Sequence, residues 1–212
     1  DKAYAGYLSY EYAPIKPLSS GWGVRYEKHT SWGGRFNPSF NLMYKASDGF
    51  KLRGMVAYGF RAPSIKEQYF TFDHTAAGYV VYGGEITPPA DLNIPESVQF
   101  NPLVEENAIN SSISAEFSYG SIGMHRLTYF YNHIEDMIDF ILLGFTPTYW
   151  RGVYIYQNVD RAITQGIEWE SRVKLDDHID LSFSYNYLLS RNLATQEKLV
   201  NRPDHTGKVY AT

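Results

Sequence analysis

The sequence predicts an all-β fold, an antiparallel up-and-down meander, from three observations. Apolar and polar side chains alternate with a period of two over most of the 212 residues, which is the pattern of strands with one apolar and one polar face. No segment shows a convincing helical period. Tight polar turns alternate with longer connections, so a meander would place all tight turns at one end and all long loops at the other. That asymmetry is typical of β-barrels that span the outer membrane.

The period of two predicts nine strands. In DHIDLSFSYNYL, for example, Phe183 and Tyr185 alternate with Ser182 and Ser184. Boundaries follow from where the alternation stops and turn residues begin. The predicted strands are residues 2–13, 20–29, 36–46, 50–61, 108–119, 122–142, 153–175, 178–190 and 203–212.

The connections between these strands are of two kinds. Tight turns rich in Gly and Asp are predicted at 46–50, 119–123 and 175–179, with a medium connection, 13–21, on the same side. The longest of the other connections shows no steady period and is predicted to be an irregular loop. The longer connections are 29–34, 62–107, 143–153 and 190–203.

A soluble β-sandwich would also have strands with one apolar face. However, several predicted strands are 12 to 20 residues long, and a long irregular loop would be unusual in a compact domain. Charges also occur in rows on the polar faces, as in a hydrated lumen. Because single-chain bacterial barrels have even numbers of strands, residues 1–212 are expected to be an arc of a large transmembrane β-barrel.

Composition narrows the function further. The absence of cysteine excludes disulfides and thiolate metal sites, and a net charge of −4 without a basic cluster predicts no nucleic-acid partner. The six histidines are scattered without metal or catalytic spacing, so no enzyme is predicted. Aromatic residues make up 17% of the chain, and several suit the girdles at the membrane interfaces. These are Tyr119, Tyr129, Tyr131, Trp169, Tyr185 and Tyr187.

Five segments, taken in order, resemble the barrel motifs of TonB-dependent outer-membrane receptors. They are GFRAPSIKEQYF, NPLVEENAINSSISAEFSYG, YFYNHIEDMIDFI, YQNVDRAITQGIEWE and YNYLLSRNLATQEKLVNRPDHTGKV. One departure is Glu105, which stands where the family has Pro. The positions that match the family motifs are Phe60, Arg61, Ala62, Pro63, Asn101, Pro102, Asn158, Gly166, Glu168, Arg202 and Pro203.

The resemblance implies a 22-strand barrel around a plug, in the outer membrane of a Gram-negative bacterium and in contact with its lipid. The plug and the remaining strands would lie outside these residues. Uptake would be energised by the TonB–ExbB–ExbD complex through an N-terminal segment that is also outside them. The implied ligand is an iron chelate such as a ferric siderophore, with haem or cobalamin as alternatives. A passive porin or an outer-membrane enzyme is the alternative from another class.

The long loops 62–107, 143–153 and 190–203 are expected to capture the ligand. No resident cofactor or metal site is predicted, although His74 is a candidate haem ligand because it is the only histidine between two of the motifs. The candidate ligand-binding residues are His74, Tyr69, Phe72, Tyr79, Tyr82, Tyr149 and Trp150.

Two further expectations concern the strands. Gly59 and Gly166 are predicted to allow close approach of a neighbouring group. The charged residues of the polar faces are expected to form a salt-bridged lumen wall. They are Glu168, Glu170, Arg172, Lys174, Glu116, Arg126, Lys51 and Arg53.

Overall fold

The computed structural model describes residues 2–30, 32–87, 101–146, 150–176, 178–199 and 201–212. This part of the chain contains eleven strands, one short helix, α1 (Ile65–Tyr69), and one 3-10 turn (Thr75–Ala77). The strands are β1 (Ala3–Ile15), β2 (Leu18–His29), β3 (Gly33–Ser47), β4 (Phe50–Arg61), β5 (Phe72–His74), β6 (Tyr79–Tyr82), β7 (Glu106–Ser118), β8 (Gly123–Phe145), β9 (Gly152–Lys174), β10 (Asp180–Asn192) and β11 (His205–Ala211).

Nine of these strands form a meander in the order β1-β2-β3-β4-β7-β8-β9-β10-β11. The registers of β1 with β2, β2 with β3, β3 with β4, β9 with β10 and β10 with β11 are antiparallel. All nine predicted strands, and the all-β fold class, are therefore confirmed. Within the described ranges, no helix is long and apolar enough to cross a membrane.

The prediction of an irregular loop over 62–107 is wrong for its first part. This segment contains α1 and a small hairpin of β5 and β6, and β6 also pairs in parallel with β9, from Tyr79 with Gly152 to Tyr82 with Ile155. These elements have three to five residues each. Runs this short cannot establish a period in the sequence.

The predicted medium connection 13–21 is also wrong, because β1 and β2 continue until Ile15 pairs with Leu18. Two prolines in APIKP had suggested a loop. The register shifts between Tyr12 and Ile15, and such an irregularity allows Pro14 to stand in the strand without breaking the rest of the ladder.

The chain divides into two compact units, which are described separately. Unit 1 comprises Asp1–Gly59, Ala108–Ile134 and Ala162–Thr212, and unit 2 comprises Phe60–Asn107 and Glu135–Arg161. Unit 2 has a small core of Val80, Leu143, Val153 and Ile155.

One face of the strands in unit 1 is apolar and exposed. Aromatic rings pack across neighbouring strands on it, with centroid distances of 4.5 Å for Trp22 and Phe40 and 5.0 Å for Trp169 and Phe183. Large side chains on this face remain open to the surroundings, among them Leu8 and Trp22. Such an extensive exposed apolar surface requires an apolar environment or a partner.

The opposite face carries ion pairs centred on the buried carboxylate of Glu116. It accepts from Lys51 Nζ and Arg53 Nη1 at 3.0 Å each and from Arg126 Nη2 at 2.8 Å. Arg126 also donates to Glu170 at 3.0 Å. The predicted salt-bridged face is thus present for these five residues. Glu168, Arg172 and Lys174 lie at alternate positions of β9 on the same side as Glu170.

Candidate functional site

Arg61, the last residue of β4, lies between two carboxylates. Its Nε and Nη2 donate to the two oxygens of Glu106 at 2.7 Å each, and its Nη1 donates to Glu67 at 2.8 and 2.9 Å. Glu106 begins β7 and also accepts from the backbone N–H of Ile138 at 2.6 Å. The planar guanidinium offers donors in more than one direction, so this single side chain connects β4, α1 and β7.

Helix α1 begins with a capping box in the sequence SIKE. Ser64 Oγ accepts from the N–H of Glu67 at 3.2 Å, and the Glu67 carboxylate accepts from the N–H of Ser64 at 2.8 Å. Burial alone would raise the pKa of Glu67, but the hydrogen bonds from Ser64 and Arg61 outweigh burial and hold that pKa below its usual value. Pro63 is buried just before the cap, and Phe60 and Ala62 are half-buried.

Asn158 in β9 connects a loop to two strands through its side-chain amide. Its Oδ1 accepts from the N–H of Val104 at 2.8 Å, and its Nδ2 donates to the carbonyl of Val104 at 3.0 Å. The same Nδ2 donates to the carbonyl of Asp136 at 2.5 Å. This pairing with both backbone groups of Val104 resembles one rung of a β-ladder, so Asn158 fixes the chain just before β7.

Hydrogen bonds join three separate parts of the segment between β4 and β7. The N–H groups of Gly84 and Glu85 donate to the carbonyls of Glu67 and Gln68 at 2.7 and 2.9 Å. Glu85 in turn accepts from the N–H of Leu103 at 3.1 Å. A Cβ at Gly84 would lie 2.7 Å from Leu103 Cγ, so close packing requires glycine there. We call residues 61–70, 83–85 and 101–106 the loop base.

The motif residues Asn101 and Pro102 are exposed, whereas Leu103, which follows them, is only 2% exposed. The sequence motifs included Arg61, Asn101 and Pro102 of the loop base, but the residues that bind one another there were not singled out as site residues. They are Ser64, Glu67, Glu85, Leu103 and Glu106. The capping-box pattern Ser64–Glu67 was a usable signal for two of them. Nothing local in the sequence indicated that Glu85, Leu103 and Glu106 would meet their partners.

Three of the predicted ligand residues come together in the β5–β6 hairpin. The His74 ring lies 5.6 Å from Phe72 and 5.2 Å from Tyr79, and its Nδ1 hydrogen-bonds the Tyr79 hydroxyl at 3.1 Å. The ring of Tyr79 also contacts that of Tyr154, with 6.2 Å between the two ring centroids. Phe72 and His74 are exposed. We call Phe72, His74, Tyr79 and Tyr154 the aromatic cluster.

The other predicted ligand residues lie apart from this cluster. Tyr69 is exposed at the end of α1, Tyr82 packs against the core of unit 2, and Trp150 is 78% exposed beside Phe145. Tyr149 lies outside the described residues. Next to the cluster, Arg151 pairs with Asp73 at 3.7 Å.

The motif residues in unit 1 lie within the strands or next to them, apart from the aromatic cluster. A Cβ at Gly166 would lie against the carbonyl oxygen of Tyr187 and 2.9 Å from Phe130 Cζ, so the predicted close approach is present. At Gly59 the same prediction is wrong for the part of the chain that the structure describes, since a Cβ there would meet none of its atoms within 4 Å. Glu168 faces Asn186 across the β9–β10 ladder. Arg202 and Pro203 are exposed before β11.

Comparison with known proteins gives a consistent result. The family model described as TonB dependent receptor-like, beta-barrel, matches residues 1–212. The iron-regulated outer membrane virulence protein of Vibrio cholerae is 26% identical over 191 residues, which cover 87% of this chain and 27% of that protein. The ferrienterobactin receptor of Escherichia coli K12 is 24% identical over 192 residues, covering 87% of this chain and 24% of the relative.

A solved structure shows the same fold. A variant of the ferric enterobactin receptor from Pseudomonas aeruginosa superposes with a TM-score of 0.70 at 19% identity, over 99% of this chain and 30% of the receptor. The chain spans about a quarter of the length of the curated relatives named above.

Proposed function

Since the chain belongs to the TonB-dependent receptor β-barrel family, we propose that it contributes wall strands and a ligand-capturing loop to a ferric siderophore receptor. The receptor lies in the outer membrane of a Gram-negative bacterium. The family consists of receptors and transporters rather than enzymes, and the Escherichia coli relative is named a ferrienterobactin receptor. The exposed apolar face of unit 1 would contact the lipid. TonB–ExbB–ExbD would act through a segment outside these residues.

The observation that carries the ligand assignment is the aromatic cluster in the connection between β4 and β7. Phe72 and His74 expose ring surfaces on a hairpin that is paired to β9. A ferric siderophore is bulky, and the catecholate kinds are anionic and carry aromatic iron-binding groups. Exposed rings can stack on such groups, and Arg151 lies near the same hairpin.

The experiment is iron uptake by the full-length receptor in an iron-starved Gram-negative host that lacks its own siderophore receptors. Radioactive iron is supplied as ferric enterobactin or as haem in separate arms, and cyanocobalamin labelled with radioactive cobalt is a third arm. We expect uptake of the ferric siderophore that is lost when TonB is deleted. Uptake that persists without TonB would indicate a passive pore, and uptake of cobalamin alone would overturn the iron assignment.

A haem receptor is the second candidate, and the exposed imidazole of His74 favours it. Its Nδ1 is engaged by Tyr79, an arrangement that orients the ring for an axial bond through Nε2. In the same assay, His74→Ala should abolish haem-supported uptake and the haem absorbance shift if haem is the ligand. Unchanged haem binding by His74→Ala would exclude this role. Loss of ferric enterobactin uptake only in Phe72→Ala would favour the siderophore.

A further inference from the structure

We infer that Arg61 is a positioning residue that holds the loop base, and with it the aromatic cluster, in the geometry that binds ligand. Its effect on the loop base follows from the structure alone, whereas its effect on ligand affinity rests on the proposed function. Arg61 would act through Glu67 and Glu106 and not by touching the ligand.

The hydrogen bonds of Arg61 argue against direct ligand contact. All three of its nitrogens donate to carboxylate oxygens, at 2.7 to 2.9 Å. One guanidinium and two carboxylates leave one negative charge in excess. An anionic ligand would therefore have to displace a carboxylate and approach a site of its own sign. The three side chains instead have the short charge-assisted geometry of a structural tie.

Further hydrogen bonds connect the contacts of Arg61, one after another, to the rest of the loop base. Glu67 belongs to α1, and the carbonyls of Glu67 and Gln68 hold Gly84 and Glu85. Glu85 then holds the N–H of Leu103. The hairpin β5–β6 leaves the loop base after residue 70 and returns to it at residue 83, so both of its ends are fixed by this chain of contacts. Because β6 is also held by its pairing with β9, loosening the first link would act on α1 and on β5, which carries Phe72 and His74.

Substitution of Glu67 or Glu106 distinguishes a ligand-binding role of Arg61 from a positioning role, because the two roles predict opposite changes in ligand affinity. If Arg61 bound the ligand, Glu67→Gln or Glu106→Gln would free its charge and strengthen binding of an anionic ligand. If Arg61 positions the loop base, the same changes weaken binding. Arg61→Lys also distinguishes the two roles, because lysine keeps the positive charge but cannot donate to both carboxylates with the planar geometry of a guanidinium.

The first test uses the full-length receptor in outer-membrane vesicles without ligand. Limited proteolysis measures the rate of cleavage within residues 62–105. We expect Arg61→Ala, Arg61→Lys and Glu106→Gln to raise that rate by about tenfold or more. The control is Arg25→Ala, which removes an arginine paired with Glu27 on β2, and it should cleave like the wild type. Wild-type cleavage rates in all three variants would overturn the inference.

The second test is equilibrium binding of ferric enterobactin to the same proteins. Positioning predicts weaker binding by Arg61→Ala, Arg61→Lys, Glu67→Gln and Glu106→Gln. Tighter binding by the glutamine variants, or wild-type affinity of Arg61→Lys, would overturn it. If the wild type binds no siderophore, the proposed function fails while the cleavage test still decides the role of Arg61. Heat-modifiable electrophoretic mobility shows which variants fold into a barrel. If Arg61→Ala does not fold, both tests are made with Glu67→Gln, which is the mildest of the four substitutions.

Discussion

Gly166 is a residue whose identity is fixed by its two neighbours in the sheet. A Cβ there would meet the carbonyl oxygen of Tyr187 on β10 and, at 2.9 Å, the ring of Phe130 on β8. The Phe130 ring therefore covers backbone that only glycine leaves open, and two of the sequence motifs meet at this contact. The motif predicted close approach at Gly166 correctly. It failed at Gly59 because the groups opposite a glycine depend on register, which one strand's sequence does not contain.

We expect Gly166→Ala to destabilise the receptor by about 1–3 kcal/mol, because the methyl group must displace strand backbone as well as an aromatic ring. The measurement is the urea midpoint of the refolded full-length protein. Gly59→Ala is the matched control, since its methyl group meets open space within β4. Similar losses in the two variants would show that strand flexibility, not the contact with Tyr187 and Phe130, determines the effect.

At the scale of elements, α1 is held by its ends and not by a buried face. It has five residues, none of them buried, and a helix this short does not form unaided. Its stability therefore depends on the capping box, on Arg61 and on the N–H groups of Gly84 and Glu85 that donate to its carbonyls. The pattern S-x-x-E was visible in the sequence, but without helical periodicity it did not identify a helix. The β5–β6 hairpin was missed for a similar reason, because β6 is defined by pairing with β9, far away in the chain.

The low pKa of Glu67 gives α1 a pH dependence whose sign is fixed. Because the folded-state pKa lies below the ordinary value of 4.5, the stabilisation is complete above that value and is lost as the pH falls through the folded-state pKa. Limited proteolysis of residues 62–105 should thus accelerate as the pH falls below 4.5 and through the folded-state pKa of Glu67. Glu67→Gln should cleave faster at neutral pH and change less on acidification. A Glu67→Gln profile parallel to that of the wild type would place the titration elsewhere.

At the scale of the whole molecule, the alternation of the sequence places two opposite chemistries on the two faces of unit 1. One face exposes rings such as Trp22 and Trp169, and the other gathers charges around Glu116. This division could be predicted because it follows from the period of two alone. Which cations would share Glu116 could not, since Lys51, Arg53 and Arg126 come from β4 and β8 and meet Glu116 of β7 only through the strand order.

Glu116 is the group on which this network depends, because three cations share one carboxylate that is 6% exposed. Glu116→Gln keeps the shape but leaves Lys51, Arg53 and Arg126 repelling one another. We expect a loss of about 2–3 kcal/mol in the free energy of unfolding, less than for a fully buried pair because the cations are partly exposed. Glu168→Gln, on an exposed glutamate of β9, should change it by less than about 0.5 kcal/mol. Added salt should reduce the difference in unfolding free energy between the two variants, since it screens the repulsion among the cations. Equal unfolding free energies at low salt would mean that the ion pairs do not hold β4, β7 and β8 together.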